Sequence, residues 1–206
     1  MTQFYLKAIA CLEKTGVQIY GSRFRVLEED HHIIQRLLAW SLKDATTAKQ
    51  LGIDLTKGLM ITGPIGCGKS ALINLMRYFI KDAVPHILKP CREVAFEFEK
   101  VGFEIIRRYA SVSYHSTTNR PYLLTYCFDD LGTEQSLRHF GQECNIMAEI
   151  ILSRYDLFIR KKMITHFTTN LSADEIEKLY GPRVRSRLRE MCNLIAFPKD
   201  TPDKRR

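Results

Sequence analysis

The sequence predicts an α/β fold in which a parallel, five-stranded sheet lies between two layers of helices. From Gly58 onward, short apolar segments alternate with amphipathic ones, and repeated β–α alternation is typical of a parallel sheet with helices on both faces. A glycine-rich turn follows the first of these apolar segments. Apolar residues make up 45% of the 206 residues, which is enough for a hydrophobic core without disulfide bonds.

The first 55 residues are predicted to form a mainly helical segment, and residues 56–206 the α/β core. The residue pattern predicts a helix over residues 4–14 and a short strand over residues 17–20. Asp30 then precedes a second helical pattern of apolar residues. Because this segment is too small to hold a core of its own, we expect it to pack on the residues that follow.

The elements of the core follow in chain order. The predicted strands are residues 59–62, 94–98, 122–128, 163–168 and 193–197. The predicted helices are residues 71–81, 103–109, 145–159 and 173–179, and a further short helix that carries an arginine cluster. Ser172 and Glu175 have the spacing of a capping box at the start of one of these helices. Ligands of such sheets bind at the carboxyl ends of the strands.

A phosphate-binding loop is the strongest functional signal in the sequence. The eight residues from Gly63 match the pattern GxxxxGK[ST], between a predicted strand and a predicted helix. Lys69 is expected to contact the β- and γ-phosphates of ATP, and Ser70 to coordinate Mg²⁺. The predicted nucleotide-binding residues are Gly63, Pro64, Ile65, Gly66, Cys67, Gly68, Lys69, Ser70 and Ala71.

Two acidic residues end the third predicted strand. Asp129 is placed to hold the Mg²⁺ shell, partly through water. Asp130 is placed to orient or deprotonate the attacking water. A pair of acids after a strand is often only a turn, but the preceding phosphate loop favours the catalytic interpretation.

Asn170 follows the fourth predicted strand. Its side chain could bond the γ-phosphate or the lytic water, or it could simply turn the chain, and the residues alone leave both interpretations open.

Arg183 and Arg187 lie four residues apart in the arginine cluster and share one face of the predicted helix. They could form an arginine finger that reaches the γ-phosphate of a neighbouring subunit. The alternative is a solvated basic face that contacts nucleic-acid phosphates.

Together these motifs resemble those of AAA+ ATPases over roughly residues 58–197. Residues 128–134 resemble the Asp-Asp-Leu-Gly-Thr/Ala-Glu stretch of helicase loaders and transposition helpers of the DnaC/IstB type. The resemblance implies ATP-dependent assembly into a homo-oligomer and work on DNA beside a helicase or a transposase. It also implies one role for each matching residue: Lys69 and Ser70 in Walker A, Asp129 and Asp130 in Walker B, Asn170 as sensor 1, and Arg187, or second Arg183, as the finger.

The sequence departs from this pattern at both ends. Since it ends at Arg206, just after the last predicted strand, we expect no C-terminal lid domain and assign no sensor 2 arginine. The first 55 residues do not resemble a helicase-binding domain. Two other functions also stay open: a small-molecule kinase, because residues 63–70 also fit the GxxGxGK[ST] form common in P-loop kinases, and a nucleotide switch that does not hydrolyse ATP.

The formal net charge of +8 makes weak, sequence-independent DNA binding plausible. Candidate contacts are Lys100, Arg107, Arg108 and residues 204–206. The six cysteines form no CxxC pair, which argues against a zinc site and for a reducing, cytoplasmic setting. The sequence contains no apolar run long enough to span a membrane.

Overall fold

The computed structural model describes residues 1–80, 84–111, 113–114, 121–134, 137–139 and 142–205. The strands are β1 (Gly58–Thr62), β2 (Ile87–Pro90), β3 (Ser113–Tyr114), β4 (Pro121–Tyr122), β5 (Tyr126–Leu131), β6 (Leu137–His139), β7 (Gln142–Cys144), β8 (Thr165–Thr169) and β9 (Cys192–Ala196). The helices are α1 (Gln3–Tyr20), α2 (His31–Ser41), α3 (Ala45–Gln50), α4 (Lys69–Met76), α5 (Cys91–Val101), α6 (Glu104–Tyr109), α7 (Ile146–Lys161) and α8 (Ala173–Met191).

The main sheet has five strands in the order β2-β5-β8-β1-β9. Its strands are parallel, which confirms the predicted fold class. At its centre, Phe167 of β8 lies opposite Met60 of β1 and Phe128 of β5. Where these strands end, Thr169 lies opposite both Thr62 and Leu131. The carboxyl ends of β1, β5 and β8 therefore meet at one edge of the sheet.

The chain divides into two compact units. The helical unit comprises Met1–Leu55, Gly63–Pro85 and Ile195–Arg206, and the sheet unit comprises Thr56–Thr62 and His86–Leu194. The predicted domain boundary after residue 55 stays a prediction.

Helix α1 of the helical unit is longer than the sequence pattern indicated. Its buried residues, Tyr5, Ile9, Leu12 and Gly16, recur every three or four positions, which places them on one face of the helix. The strand predicted over residues 17–20 is wrong, because these residues form the last turn of α1.

In the sheet unit, the strand predicted over residues 94–98 is also wrong. These residues belong to α5, whose buried side chains Cys91, Val94, Ala95 and Phe98 have helical spacing. The strand of the sheet is instead the preceding β2, four residues long and paired with β5. Strand β5 begins at Tyr126, later than predicted, and runs through both aspartates.

Helix α8 combines the predicted capped helix and the predicted arginine helix. The capping box is confirmed, since Ser172 N donates to Glu175 Oε2 and Glu175 N donates to Ser172 Oγ. The two helical stretches join at Gly181, which has a φ of 86° and precedes Pro182. The described residues after β9 form turns and no helix.

Arg154 of α7 lies near the starts of β5 and β8. Asp129 and Asp130 lie at the opposite end of the sheet. Arg154 is fully buried, and its guanidinium donates to Thr165 Oγ1 at 2.7 Å and to the carbonyl oxygens of Tyr109, Leu124 and Ile164 at 2.5–3.0 Å. Burial lowers the pKa of Arg154 to about 9, so the group remains charged at neutral pH. One side chain thus joins α6, α7 and the starts of β5 and β8.

Candidate functional site

The predicted phosphate loop lies in the helical unit, between the end of β1 and the start of α4 at Lys69. Gly66 and Gly68 have φ values of 82° and 101°, a region in which residues with a Cβ are strained. The first turn of α4 also leaves backbone N–H groups without partners within the helix. The loop therefore has the backbone geometry of an anion-binding turn.

Lys69 lies inside this loop. Its side chain is 4% exposed, and Nζ donates to the carbonyl oxygens of Gly63 and Pro64, each at 2.9 Å. A partly desolvated ammonium group and several backbone donors thus occupy one short segment. This donor set fits a polyphosphate, whose oxygens accept hydrogen bonds from such groups.

The other loop residues differ in exposure. Ile65 is 65% exposed at the tip, whereas Cys67 is buried and burial raises the pKa of its thiol. Cys67 therefore packs as a neutral side chain and would contribute its backbone N–H group. Ser70 and Ala71 lie half-buried in the first turn of α4, where a hydroxyl oxygen is a suitable ligand for Mg²⁺.

The two predicted acids lie in the sheet unit at the end of β5. Asp129 is 8% exposed and accepts a hydrogen bond of 2.5 Å at Oδ1 from Thr168 Oγ1. The same hydroxyl accepts from Asp130 N at 2.9 Å. Thr168 was not among the predicted site residues, although its position near the end of the neighbouring strand could have indicated it.

A tight turn follows these acids and fixes the backbone of Asp130. Asp130 has a φ of 55°, and its carbonyl oxygen accepts bonds from the amide and the hydroxyl of Thr133. Glu134 accepts from Gly132 N at 2.9 Å and from the hydroxyl of Tyr180 in α8. Burial raises the pKa of Glu134. These bonds link the turn after β5 to the first half of α8.

Asn170 lies directly after β8 and is exposed. The preceding Thr169 donates to Leu131 O at 2.6 Å and accepts from Leu171 N at 3.0 Å, so it ties the turn to the neighbouring strand. Asn170 therefore follows the strand adjacent to the one that carries Asp129 and Asp130. Its role as a sensor of phosphate stays a prediction.

The arginine cluster lies on the second half of α8. Arg187 stacks over the ring of Tyr155, with 4.2 Å from its guanidinium carbon to the ring centroid, and donates to the Tyr155 hydroxyl at 3.0 Å. Arg187 Nη1 also lies 3.7 Å from Glu190 Oε2. Arg183 is exposed, and among the described residues it forms no ion pair. The structure thus holds Arg187 in a defined conformation and leaves Arg183 in solvent.

No family model matches this sequence, and no curated protein is significantly similar to it. Several solved structures are similar to this chain. A primosome component from Streptococcus pyogenes serotype M3 has a TM-score of 0.53 and 20% identity, over 82% of each chain. AMPPCP-bound DnaA from Aquifex aeolicus has a TM-score of 0.51 and 21% identity, over 88% of this chain and 50% of DnaA. The DnaC helicase loader has a TM-score of 0.48 and 21% identity, over 69% of this chain and 79% of that one.

At these levels of identity, structural similarity establishes the fold and not the function. The five parallel strands with helices around them, and the glycine-rich loop after β1, are the features of that fold present here. The resemblance to AAA+ proteins predicted from the sequence is thereby confirmed, and the chain has the AAA+ P-loop NTPase fold.

Proposed function

We propose that this chain binds ATP with Mg²⁺, hydrolyses it, and acts on DNA in the manner of a helicase loader or transposition helper. The observation that carries the proposal is the phosphate loop with Lys69 buried inside it. AMPPCP, bound in the DnaA structure of the same fold, is an ATP analogue, which supports a nucleotide as the ligand.

The residues divide the chemistry between them. Loop N–H groups and Lys69 would bind and orient the phosphates. Ser70 and Asp129 would hold Mg²⁺, which when bound supplies positive charge against the phosphate oxygens. Asp130 would accept a proton from the attacking water, and Asn170 would help to orient that water.

We propose that a second subunit completes the site. Arg187 is the first candidate for a finger, because its stacking on Tyr155 and its bond to the hydroxyl restrict its rotamers. Arg183 is the second candidate, since it is exposed. A finger supplied in trans would make hydrolysis depend on a homo-oligomer.

A surface on α5 and α6 is our candidate for the DNA contact. Phe96 on α5 and Phe103 directly before α6 are 53% and 48% exposed. The same two helices carry the exposed cations Arg92, Lys100 and Arg107. Exposed aromatic rings with cations around them are typical of surfaces that bind single strands, because bases stack on the rings while cations contact phosphates. Arg108, also predicted to contact DNA, is instead paired with Glu97 at 3.0 Å.

The protein partner follows from the resemblance, which favours a helicase or a transposase. The similarity to a primosome component from Streptococcus pyogenes supports a partner within an assembly of that kind. No helix among the described residues is long and apolar enough to cross a membrane.

The test is release of phosphate from ATP by wild-type chain and by Asp130→Asn, with and without single-stranded DNA. We expect turnover by the wild type, stimulated by DNA, and retained ATP binding without turnover in Asp130→Asn. Phosphate transfer to a nucleoside or nucleotide acceptor would favour a kinase instead. ATP binding with no turnover at high protein concentration, with or without DNA, would favour a nucleotide switch.

A further inference from the structure

The segment after β9, residues 198–205, packs against the phosphate loop within the helical unit. Lys204 N donates to the carbonyl oxygen of Gly66 at 3.1 Å. The carboxylate of Asp203 lies against Gly66 so closely that a Cβ built there would be 2.0 Å from Asp203 Oδ1. Gly66 is therefore required by its positive φ, and a Cβ there would also displace the Asp203 carboxylate.

The side chain of Lys204 joins this segment to the start of α2. Its Nζ forms an ion pair with Asp30, whose side chain is only 6% exposed. It also lies 5.1 Å from the ring centroid of Phe197. Because the pair is largely removed from solvent, the loss of one partner costs more than at a surface pair.

The hydrogen bond to Gly66 constrains the peptide between Gly66 and Cys67. A peptide unit is planar, and its C=O and N–H groups point in opposite directions. Since the carbonyl points to Lys204, the Cys67 N–H points into the loop, where it donates a hydrogen bond to Pro64 O at 3.4 Å. This bond is longer than the usual range of about 2.7–3.2 Å for an N–H···O bond, so a bound phosphate oxygen would replace Pro64 O as the acceptor of this inward-pointing amide.

From these contacts we propose that Lys204 is a positioning residue of the phosphate loop. Its backbone N–H fixes the Gly66–Cys67 peptide in the orientation that binds phosphate, and its ion pair with Asp30 holds the segment in place. The inference rests on the proposed function, because it concerns the affinity for ATP. It also gives Lys204 a role other than the DNA contact predicted from the sequence.

The experiment compares Lys204→Arg, Lys204→Ala and Lys204→Pro by titration with a fluorescent ATP analogue and Mg²⁺. Lys204→Ala removes the ion pair and keeps the N–H, whereas Lys204→Pro removes both. We expect Lys204→Arg to bind as the wild type does, and Lys204→Pro to bind about two- to tenfold more weakly than Lys204→Ala. Lys199→Ala, an exposed site in the same segment, is the control for lost charge.

Equal affinities of Lys204→Pro and Lys204→Ala would overturn the inference. Failure of the wild type to bind the analogue would instead refute the proposed function. If Lys204→Pro does not fold, a double-mutant cycle of Asp30→Asn, Lys204→Met and the double variant replaces that comparison. Coupled effects on the dissociation constant support the positioning role, and additive effects contradict it.

Discussion

The hydroxyl of Thr168 donates to Asp129 Oδ1 at 2.5 Å and accepts from the backbone N–H of Asp130 at 2.9 Å. A single side chain of β8 therefore orients the carboxylate of one acid and the backbone of the next. Partners of this kind tune metal ligands without contacting the metal. We infer that Thr168 orients the carboxylate of Asp129 for the binding of Mg²⁺.

Replacement of Thr168 by Val keeps the shape of the side chain and removes both hydrogen bonds. We expect ATP turnover to fall about 10–100-fold and the Mg²⁺ requirement to rise. The measurement is a Mg²⁺ titration of turnover, with Thr168→Ser, which retains the hydroxyl, as the control. A Thr168→Val variant with wild-type Mg²⁺ dependence would show that the bond serves only the fold.

Complementation between variants tests whether Arg187 acts across a subunit interface. Asp130→Asn lacks the base, and Arg187→Ala lacks the finger, so each alone should lose about 10³-fold or more in turnover. In a mixture, some interfaces would combine an intact Asp130 with an intact Arg187. We therefore expect mixing to restore activity, measured as phosphate release against the ratio of the two variants.

Arg183→Ala, mixed with Asp130→Asn in the same way, tests the second candidate. If Arg183→Ala restores activity when mixed with Asp130→Asn, and Arg187→Ala alone is fully active, then Arg183 is the finger and Arg187 is not. Wild-type turnover that rises only linearly with protein concentration would argue against a shared site.

The α5–α6 surface predicts a salt-dependent contact with single-stranded DNA. Replacing Lys100 and Arg107 by Ala removes two exposed cations. We expect weaker binding, and a slope of log affinity against log salt that is shallower by about 1.4. Fluorescence anisotropy at several salt concentrations gives the slope, and Lys199→Ala is the charge control. An unchanged slope in the double variant would exclude this surface.

The burial of the Glu134 carboxyl predicts a pH dependence of stability. Because burial raises the pKa of Glu134 above 4.5, the folded state binds this proton more tightly than the unfolded state does. The resulting stabilisation is complete below pH 4.5 and is lost as pH rises through the folded-state pKa. The side chain in Glu134→Gln cannot titrate. As pH rises through the folded-state pKa of Glu134, the free energy of unfolding of this variant, measured by denaturant unfolding, should therefore fall less than that of the wild type. A wild type and a variant with parallel pH profiles would contradict this.

The phosphate loop and the acid pair could be predicted because each is a contiguous signature next to an apolar strand. Strand β2 could not be predicted, because it is only four residues long. The nearby apolar residues 94–98 have the composition of a strand, although their buried positions follow a helix. Lys204 and Asp30 are 174 positions apart, and Thr168 and Asp129 are 39 apart. Contacts at such separations depend on the tertiary fold, which local periodicity does not encode.

Binding of a non-hydrolysable ATP analogue with Mg²⁺, measured by isothermal titration calorimetry on the wild type and on Lys69→Met, tests the central proposal most directly. Methionine keeps the length and apolar stem of the side chain while removing its charge and donors. We predict one binding site per chain in the wild type and an affinity lower by about tenfold or more in Lys69→Met. A wild type that binds no analogue, or a Lys69→Met variant that binds it equally well, would contradict ATP binding at this loop.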